Sequence, residues 1–246
     1  MDHLVYVASS GAGQAMLAQA ANSNNLANAS TAGFRADLIL AQTAQLAGEQ
    51  AESRAYTSLY GTGINFREGS VTVTGGDLDV AINGEGWISV AEVDGTRGVS
   101  RRGDLRINEV GQLLDGAGRQ ILGDSGPIAL PDYSHVSIGS DGTVSIVPLG
   151  EDPNSVTVID RIKLVKPDKA ELVRGANGLI QMRSGEEPVA DAGVTLITGS
   201  LESSNVDSVG SLVQMIELAR EFEYHTKMMK VAEELDAASA ELINLN

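Results

Sequence analysis

Residues 207–245 read DSVGSLVQMIELAREFEYHTKMMKVAEELDAASAELINL. Leu212, Met215, Ala219, Phe222, Thr226 and Met229 follow one another at three- or four-residue steps, so they share one stripe of a helix. Met228, Val231, Leu235, Ala238, Leu242 and Leu245 then alternate steps of three and four, the spacing of a heptad seam. The two series are offset by one residue at Met228 and Met229, so the seam rotates there. No Pro interrupts the stretch, and no Gly after Gly210. At about 1.5 Å per residue the helix spans roughly 55–60 Å, more than the width of a domain of about 130 residues. Much of it is therefore expected to run past any such domain and to need other partners.

A second helix is predicted over 2–30. Val5, Ala8, Ala12, Ala15, Gln19, Asn22 and Leu26 form its stripe, built mostly of small residues that let a neighbouring helix approach closely. Small side chains bury little area, so this helix depends on packing for its stability. Asn28 to Gly33 read as a stop and turn, with Gly33 free to adopt positive φ. From His3 to Phe34 no side chain is charged. A signal peptide needs a basic opening, whereas Met1-Asp2-His3 offers an acid. A membrane span needs about 20 mostly apolar residues, and Ser9, Ser10, Gln14, Gln19 and Asn22 break this run. No stable membrane insertion is expected.

Between the helices the pattern changes. Residues 35–60 are ambiguous: Leu38, Ala41 and Ala44 or Gln45 are spaced to continue a helix, which Gly48 would end. Residues 70–200 read as β. Val71 to Thr74 and Asp77 to Ile82 alternate, and Asn83-Gly84 predicts a type I′ hairpin returning through Trp87 to Val90. Asp94-Gly95, Asp115-Gly116 and Asp141-Gly142 mark further turns between short apolar runs at 105–107, 121–122, 136–138, 144–146 and 162–165. The fold class is α+β: a central all-β domain flanked by N- and C-terminal helices that pack together in a coiled-coil-like assembly. The segments are an N-terminal helix and turn at 1–35, a connection at 36–69, the β domain at 70–200 and the C-terminal helix at 201–246.

The formal charge is −16, from 33 acidic and 17 basic side chains. Nucleic acid and anionic membrane are disfavoured partners, since both require clustered Lys and Arg. There is no cysteine, which excludes disulfides and zinc–cysteine sites. His3, His135 and His225 fall one in each region, without metal-site spacing. Gly11-Ala12-Gly13 and Gly116-Ala117-Gly118 lack the third glycine of a phosphate loop. Asp77 and Asp79 share a strand face and read best as polar groups opposite Leu78 and Val80. Arg220 and Glu223 are spaced either for a local helix pair or for a cross-subunit contact. No catalytic residue, cofactor or metal ligand is expected. Two other classes compete: a secreted β-domain binding module, short of aromatic platforms with a single Trp, and a hydrolase using Asp77, Asp79 or Glu85.

Fully burying a Leu or Met contributes about 1.5–3 kcal/mol. The lean N-terminal stripe is too short to cover the C-terminal one, so part of the latter is expected to be covered by other subunits. The motifs agree. Asn24-Asn25-Leu26-Ala27-Asn28-Ala29-Ser30-Thr31-Ala32-Gly33-Phe34-Arg35 resembles the N-terminal signature of the flagellar rod and hook proteins, with Ala32 at the usual Pro and Arg35 at the usual Lys. Gly199-Ser200-Leu201-Glu202-Ser203-Ser204-Asn205-Val206 is similar to the segment ahead of that family's last helix, as are Met215-Ile216 and Arg220-Glu221-Phe222-Glu223 within it. Gly76 to Trp87 resembles its central hairpin. Met1 to Tyr6 and Arg161 to Lys166 look like the family's proximal-rod branch, with a distal-rod or hook-family relative as the alternative.

The resemblance implies a structural subunit exported through the flagellar type III apparatus, without signal cleavage, to the periplasmic rod. Its implied partners are the distal-rod protein, further proximal-rod subunits and, transiently, the export apparatus. Its terminal helices would pack toward the axis. The assembly interface is then expected at Asn24, Asn25, Leu26, Asn28, Gly33, Phe34, Asn205, Val206, Leu212, Met215, Ile216, Ala219, Arg220, Phe222, Glu223, Leu235 and Leu242.

Overall fold

The computed structural model describes residues 2–45, 55–152 and 154–244. In chain order the elements are α1 (Asp2–Ala27), β1 (Asp37–Gln45), β2 (Ala55–Ile64), β3 (Val71–Val73), β4 (Val80–Asn83), β5 (Trp87–Ala91), β6 (Arg97–Ser100), β7 (Arg106–Ile107), β8 (Leu113–Leu114) and β9 (Gln120–Ile121). There follow β10 (Tyr133–Ile138), β11 (Thr143–Pro148), β12 (Thr157–Arg161), β13 (Leu164–Val165), β14 (Leu172–Arg174), β15 (Ile180–Met182), β16 (Thr195–Thr198), β17 (Ser200–Glu202) and α2 (Ser208–Asn244). The chain forms two compact units: Met1–Ala29, Asp37–Gly63 and Val206–Asn246 make the first, Ser30–Ala36 and Ile64–Asn205 the second.

In the first unit the two predicted helices pack on one another. Ala8, Ala12, Ala15 and Asn22 of α1 are buried, as its small-residue stripe predicts. Among the described residues of α2 the buried positions are Leu218 and Ala232, with Met215, Phe222, His225 and Met229 half-buried along the same side. With Ser211 these alternate by four and three, so the inner seam is one heptad register throughout. Leu212, Met228, Val231 and Leu235, assigned to the stripe by sequence, lie on more exposed sides. Close approach decides this: a Cβ at Gly11 would stand 2.2 Å from the His225 ring, so α1 admits that bulky side chain only where it has none of its own. Asn22 fixes the level of contact by donating from Nδ2 to the Ser211 carbonyl at 2.7 Å.

Of the readings left open for 35–60, the helical one is not taken where the chain is described. β1 and β2 pair as a two-stranded sheet instead, and Gly48 lies outside the described residues. Tyr56, Thr57, Tyr60 and Thr62 favour strand, and Gly61 and Gly63 weaken any helix. The Asn25 side chain also grips Asp37 as a neighbouring strand would, accepting its N–H at 2.7 Å and donating to its carbonyl at 2.9 Å.

The second unit is β apart from one 3₁₀ turn at Lys169–Glu171. Its largest sheet runs β14-β15-β6-β5-β9-β8-β7, with β13 also on β5; β10-β11-β12 form a second sheet, and β16-β4 and β17-β3 form pairs. Ile88, Val90, Leu113, Ile121, Val144 and Ile146 centre the main core. A smaller cluster gathers Ile64, Trp87, Val99, Val165, Leu172 and Ile180. The turns at Asp94-Gly95 and Asp141-Gly142 join neighbouring antiparallel strands as expected, with φ of 86° and 87° at the glycines.

The hairpin predicted at Asn83-Gly84 is a different structure. β4 pairs with β16, Ile82 opposite Leu196, while β5 pairs with β6, β9 and β13. A type I′ turn needs positive φ at both central residues. Gly84 has it at 75°, but among the described residues no non-glycine does, so Asn83 cannot complete the turn. All five residues of β5 are buried, and the strand lies inside the large sheet, paired along both of its own edges.

Candidate assembly sites

In the second unit, the segments before and after the β domain close on each other. β17 pairs with β3, and the Glu202 carbonyl accepts the Gly33 N–H at 2.7 Å. Gly33 has φ 64°, and a Cβ there would meet the Arg101 carbonyl at 2.2 Å, so the position requires glycine. The following Arg35, 2% exposed, reaches Glu202, 1% exposed, at 2.6 Å. Arg101 meets the other oxygen of the same carboxylate at 2.9 Å. Glu202 Oε1 also accepts the Gly69 N–H at 2.9 Å. Both guanidiniums lie by the Trp87 ring, 5.9 and 5.6 Å from its centroid. Burial pulls the Arg35 pKa below its ordinary value and Glu202 opposes that pull. The guanidinium nevertheless stays protonated.

Asn205 ties the same two segments through its amide. Oδ1 accepts the Ala36 N–H at 2.7 Å, and Nδ2 donates to the carbonyls of Asn65 at 2.9 Å and Arg67 at 2.8 Å. Phe34 lies under the Arg174 guanidinium, 5.2 Å from ring centroid to Cζ, and Arg174 donates to the Arg35 carbonyl at 2.5 Å. Gly33, Phe34 and Asn205, expected at an interface between subunits, are thus engaged within one chain.

In the first unit the asparagine signature is also used locally. Asn28 ends α1, its Nδ2 donating to the Asn24 carbonyl at 3.0 Å and to Asn24 Oδ1 at 2.9 Å. Asn25 holds Asp37 as described above. Leu26 and Val206 are half-buried, as are Met215, Ala219 and Phe222 on α2. Leu212, Val213 and Ile216 are 50%, 53% and 57% exposed, an apolar strip on the side of α2 turned away from the inner seam. Arg220 and Glu223 are exposed, and so is Leu235. The Leu242 side chain lies outside the described residues.

Sequence reading passed over Arg35, Arg101 and Glu202 as functional residues, because charge ordinarily marks surface. Strand alternation gave no warning of it: in β17 Ser200 and Glu202 point inward and Leu201 is only half-buried, the reverse of the usual pattern. Elsewhere Asp79 is occupied by Thr74 Oγ1 at 2.6 Å. Among the described residues no group of three or more acidic or histidine side chains is placed to hold a metal. No helix among them is long and apolar enough to cross a membrane.

Two packed terminal helices, one carrying an exposed apolar strip, and a β unit whose flanking chain segments are clasped together define a two-part α+β protein. Residues 197–242 match the family described as flagellar basal body rod FlgEFG protein C-terminal, and residues 81–146 match the flagellar hook protein FlgE/F/G D1 domain. The chain is 34% identical to the flagellar basal-body rod protein FlgF of Salmonella typhimurium, with 100% of both chains covered. It is 34% identical to FlgF of Caulobacter vibrioides over 89% of this chain and 88% of that one. Against the rod protein FlgG of Bacillus subtilis the identity is 30%, over 90% of each chain. The chain belongs to the flagellar rod and hook family and, within it, to the basal-body rod proteins FlgF, structural subunits of the rod.

Proposed function

We propose that this subunit works mechanically, in the proximal part of the rod, by packing its terminal helices against those of neighbouring subunits. The array carries torque and encloses the passage through which later subunits travel. Its neighbours are the distal-rod protein and other proximal-rod subunits, its place is the periplasmic portion of the basal body, and it arrives through the flagellar export apparatus. No catalytic step enters this role.

The observation that carries the reading is the exposed apolar strip Leu212, Val213 and Ile216 on a helix whose opposite seam is already occupied by α1. Side chains of this kind contribute free energy when covered. A screw-related or heterologous contact lets a filament continue, whereas a closed twofold would end it. Around the strip, Arg220 and Glu223 supply polar contacts at its border. The asparagines at 24, 25 and 28, with Gly33, Phe34 and Asn205, act by holding the chain segments from which the helices emerge.

Deletion of residues 207–246 is expected to abolish incorporation into isolated basal bodies, read by immunoblot, while leaving the β unit folded by circular dichroism. A truncated chain that still supports a motile flagellum overturns the reading. The milder Leu212→Asp/Ile216→Asp pair should also block incorporation without lowering the melting temperature.

A further inference from the structure

Beside the Arg35–Glu202–Arg101 cluster the second unit has a pocket of about 100 Å³. Trp87, Arg35 and Arg101 line it, together with Glu85, Lys166 and Lys169. That volume is well below the roughly 300 Å³ at which small-molecule sites begin, but it admits the end of an acidic side chain.

The charges around it do not balance. Four cations converge there, and three carboxylates answer them: Glu202, Glu85 and the half-exposed Glu68, which stands 3.8 Å from Arg101. Glu202 serves both arginines. Arg35 Nη2 is 2.6 Å from Glu202 without the alignment of a hydrogen bond, so the contact is an ion pair. Arg35 Nε and Nη1 and Arg101 Nε are buried and have no acceptor among the described residues. Buried guanidinium donors ordinarily find acceptors, and a carboxylate offers several lone pairs in matching geometry. In a chain of net charge −16 this is a local excess of positive charge.

Glu85 occupies the cationic rim. It takes Lys169 at 2.6 Å and Lys166 at 3.1 Å, which hold its carboxyl down at about 2. The residue is itself half-exposed and sits between Gly84 and Gly86, whose φ values of 75° and 152° belong to backbone open to glycine. Glu85 thus shows that the rim accepts a carboxylate, delivered on a short loop free of bulky neighbours.

We propose that the pocket receives a carboxylate side chain from a neighbouring protein subunit, which takes the place of Glu85 at Lys166 and Lys169 and points toward Arg35 and Arg101. The proposal rests on the rod reading for the identity of the donor. Acidic rod subunits of this composition, with 33 Asp and Glu per copy, have carboxylates to offer.

Trp87 is the sole tryptophan, so its fluorescence reads the pocket in the full-length protein. Glutarate, titrated at constant ionic strength with sodium chloride as balance, should give a saturable change. Lys166→Gln/Lys169→Gln should weaken it by about 2- to 30-fold, the range for two partly exposed ion pairs, and Lys166→Arg/Lys169→Arg should preserve it. Glu85→Gln should tighten it, because the competing carboxylate is gone; a strut role for Glu85 predicts the opposite. No saturable change, or the same curve with chloride and in the Gln pair (an adventitious ion only), overturns the site. In cells, Lys166→Glu/Lys169→Glu should reduce rod incorporation while melting stays near wild type. Glutarate binding in vitro with normal incorporation of that charge-reversed protein would make the ligand a free anion and overturn the subunit assignment. The glutarate arm does not depend on the rod role, which the α2 deletion tests separately.

Discussion

Replacing Glu202 by Gln tests the clasp with almost no change of shape. The amide oxygen can still accept the Gly69 N–H, so that bond at 2.9 Å is retained. What disappears is the anion shared by Arg35 and Arg101, both almost wholly buried. Removing one partner of a buried ion pair costs about 3–5 kcal/mol, because the remaining charge is left uncompensated in a poorly polarisable setting. Here two cations are left. For a unit of about 150 residues each kcal/mol lowers Tm by about 2–4 °C, so the expected fall is about 6–20 °C. Thermal unfolding followed by Trp87 emission reads this unit specifically, since the ring lies beside both guanidiniums. Glu68→Gln is the control: its carboxyl is half-exposed and 3.8 Å from Arg101. Exposed pairs contribute about 0–1 kcal/mol, so it should move Tm by no more than about 4 °C. A Glu202→Gln protein melting within about 2 °C of wild type would refute the reasoning, as would equal losses in the two variants.

Gly11→Ala should destabilise the helix pair by about 1–3 kcal/mol from overpacking against His225, although Ala is the better helix former by about 1 kcal/mol. Circular dichroism melts should show the loss, and adding His225→Ala should recover much of it. Asn205→Ala removes three hydrogen bonds to backbone and should cost about 1–3 kcal/mol in urea unfolding, with faster amide exchange at Ala36. Asp115 is buried in the β8–β9 turn, where its Oδ1 accepts the N–H groups of Ala117 and Arg119, while its Oδ2 accepts no hydrogen bond among the described residues and stands 4.0 Å from Arg119 Nη1. Burial raises its pKa above the ordinary aspartate value. The folded state therefore binds the proton more tightly than the unfolded one, and this contribution is lost as pH rises from the ordinary value through the raised one. Asp115→Asn keeps the Oδ1 acceptor and removes the charge. Its stability relative to wild type should grow with pH across that window in urea titrations; a flat or falling difference would contradict the assignment.

What the residues alone determined is local and periodic. The small stripe of α1 and the three-four spacing of α2 follow from helix geometry, which brings such positions to one side whatever lies opposite. The turns at Asp94-Gly95 and Asp141-Gly142 follow from the freedom of glycine at positive φ. The rod and hook resemblance rested on contiguous motifs, and it was legible for the same reason. The pairing of strands was not. Whether Asp77 to Ile82 returns through Asn83-Gly84 or crosses to β16 depends on partners more than 100 residues away, and residues 37–45 form a strand because Asn25 and β2 supply its neighbours. The clasp was least visible. A Glu or Arg reads as surface until the fold brings opposite charges together, because water stabilises a lone ion better than any protein interior. Only the tertiary structure, by setting Arg35 and Arg101 on either side of Glu202, makes inward charge and outward Leu201 the favourable arrangement.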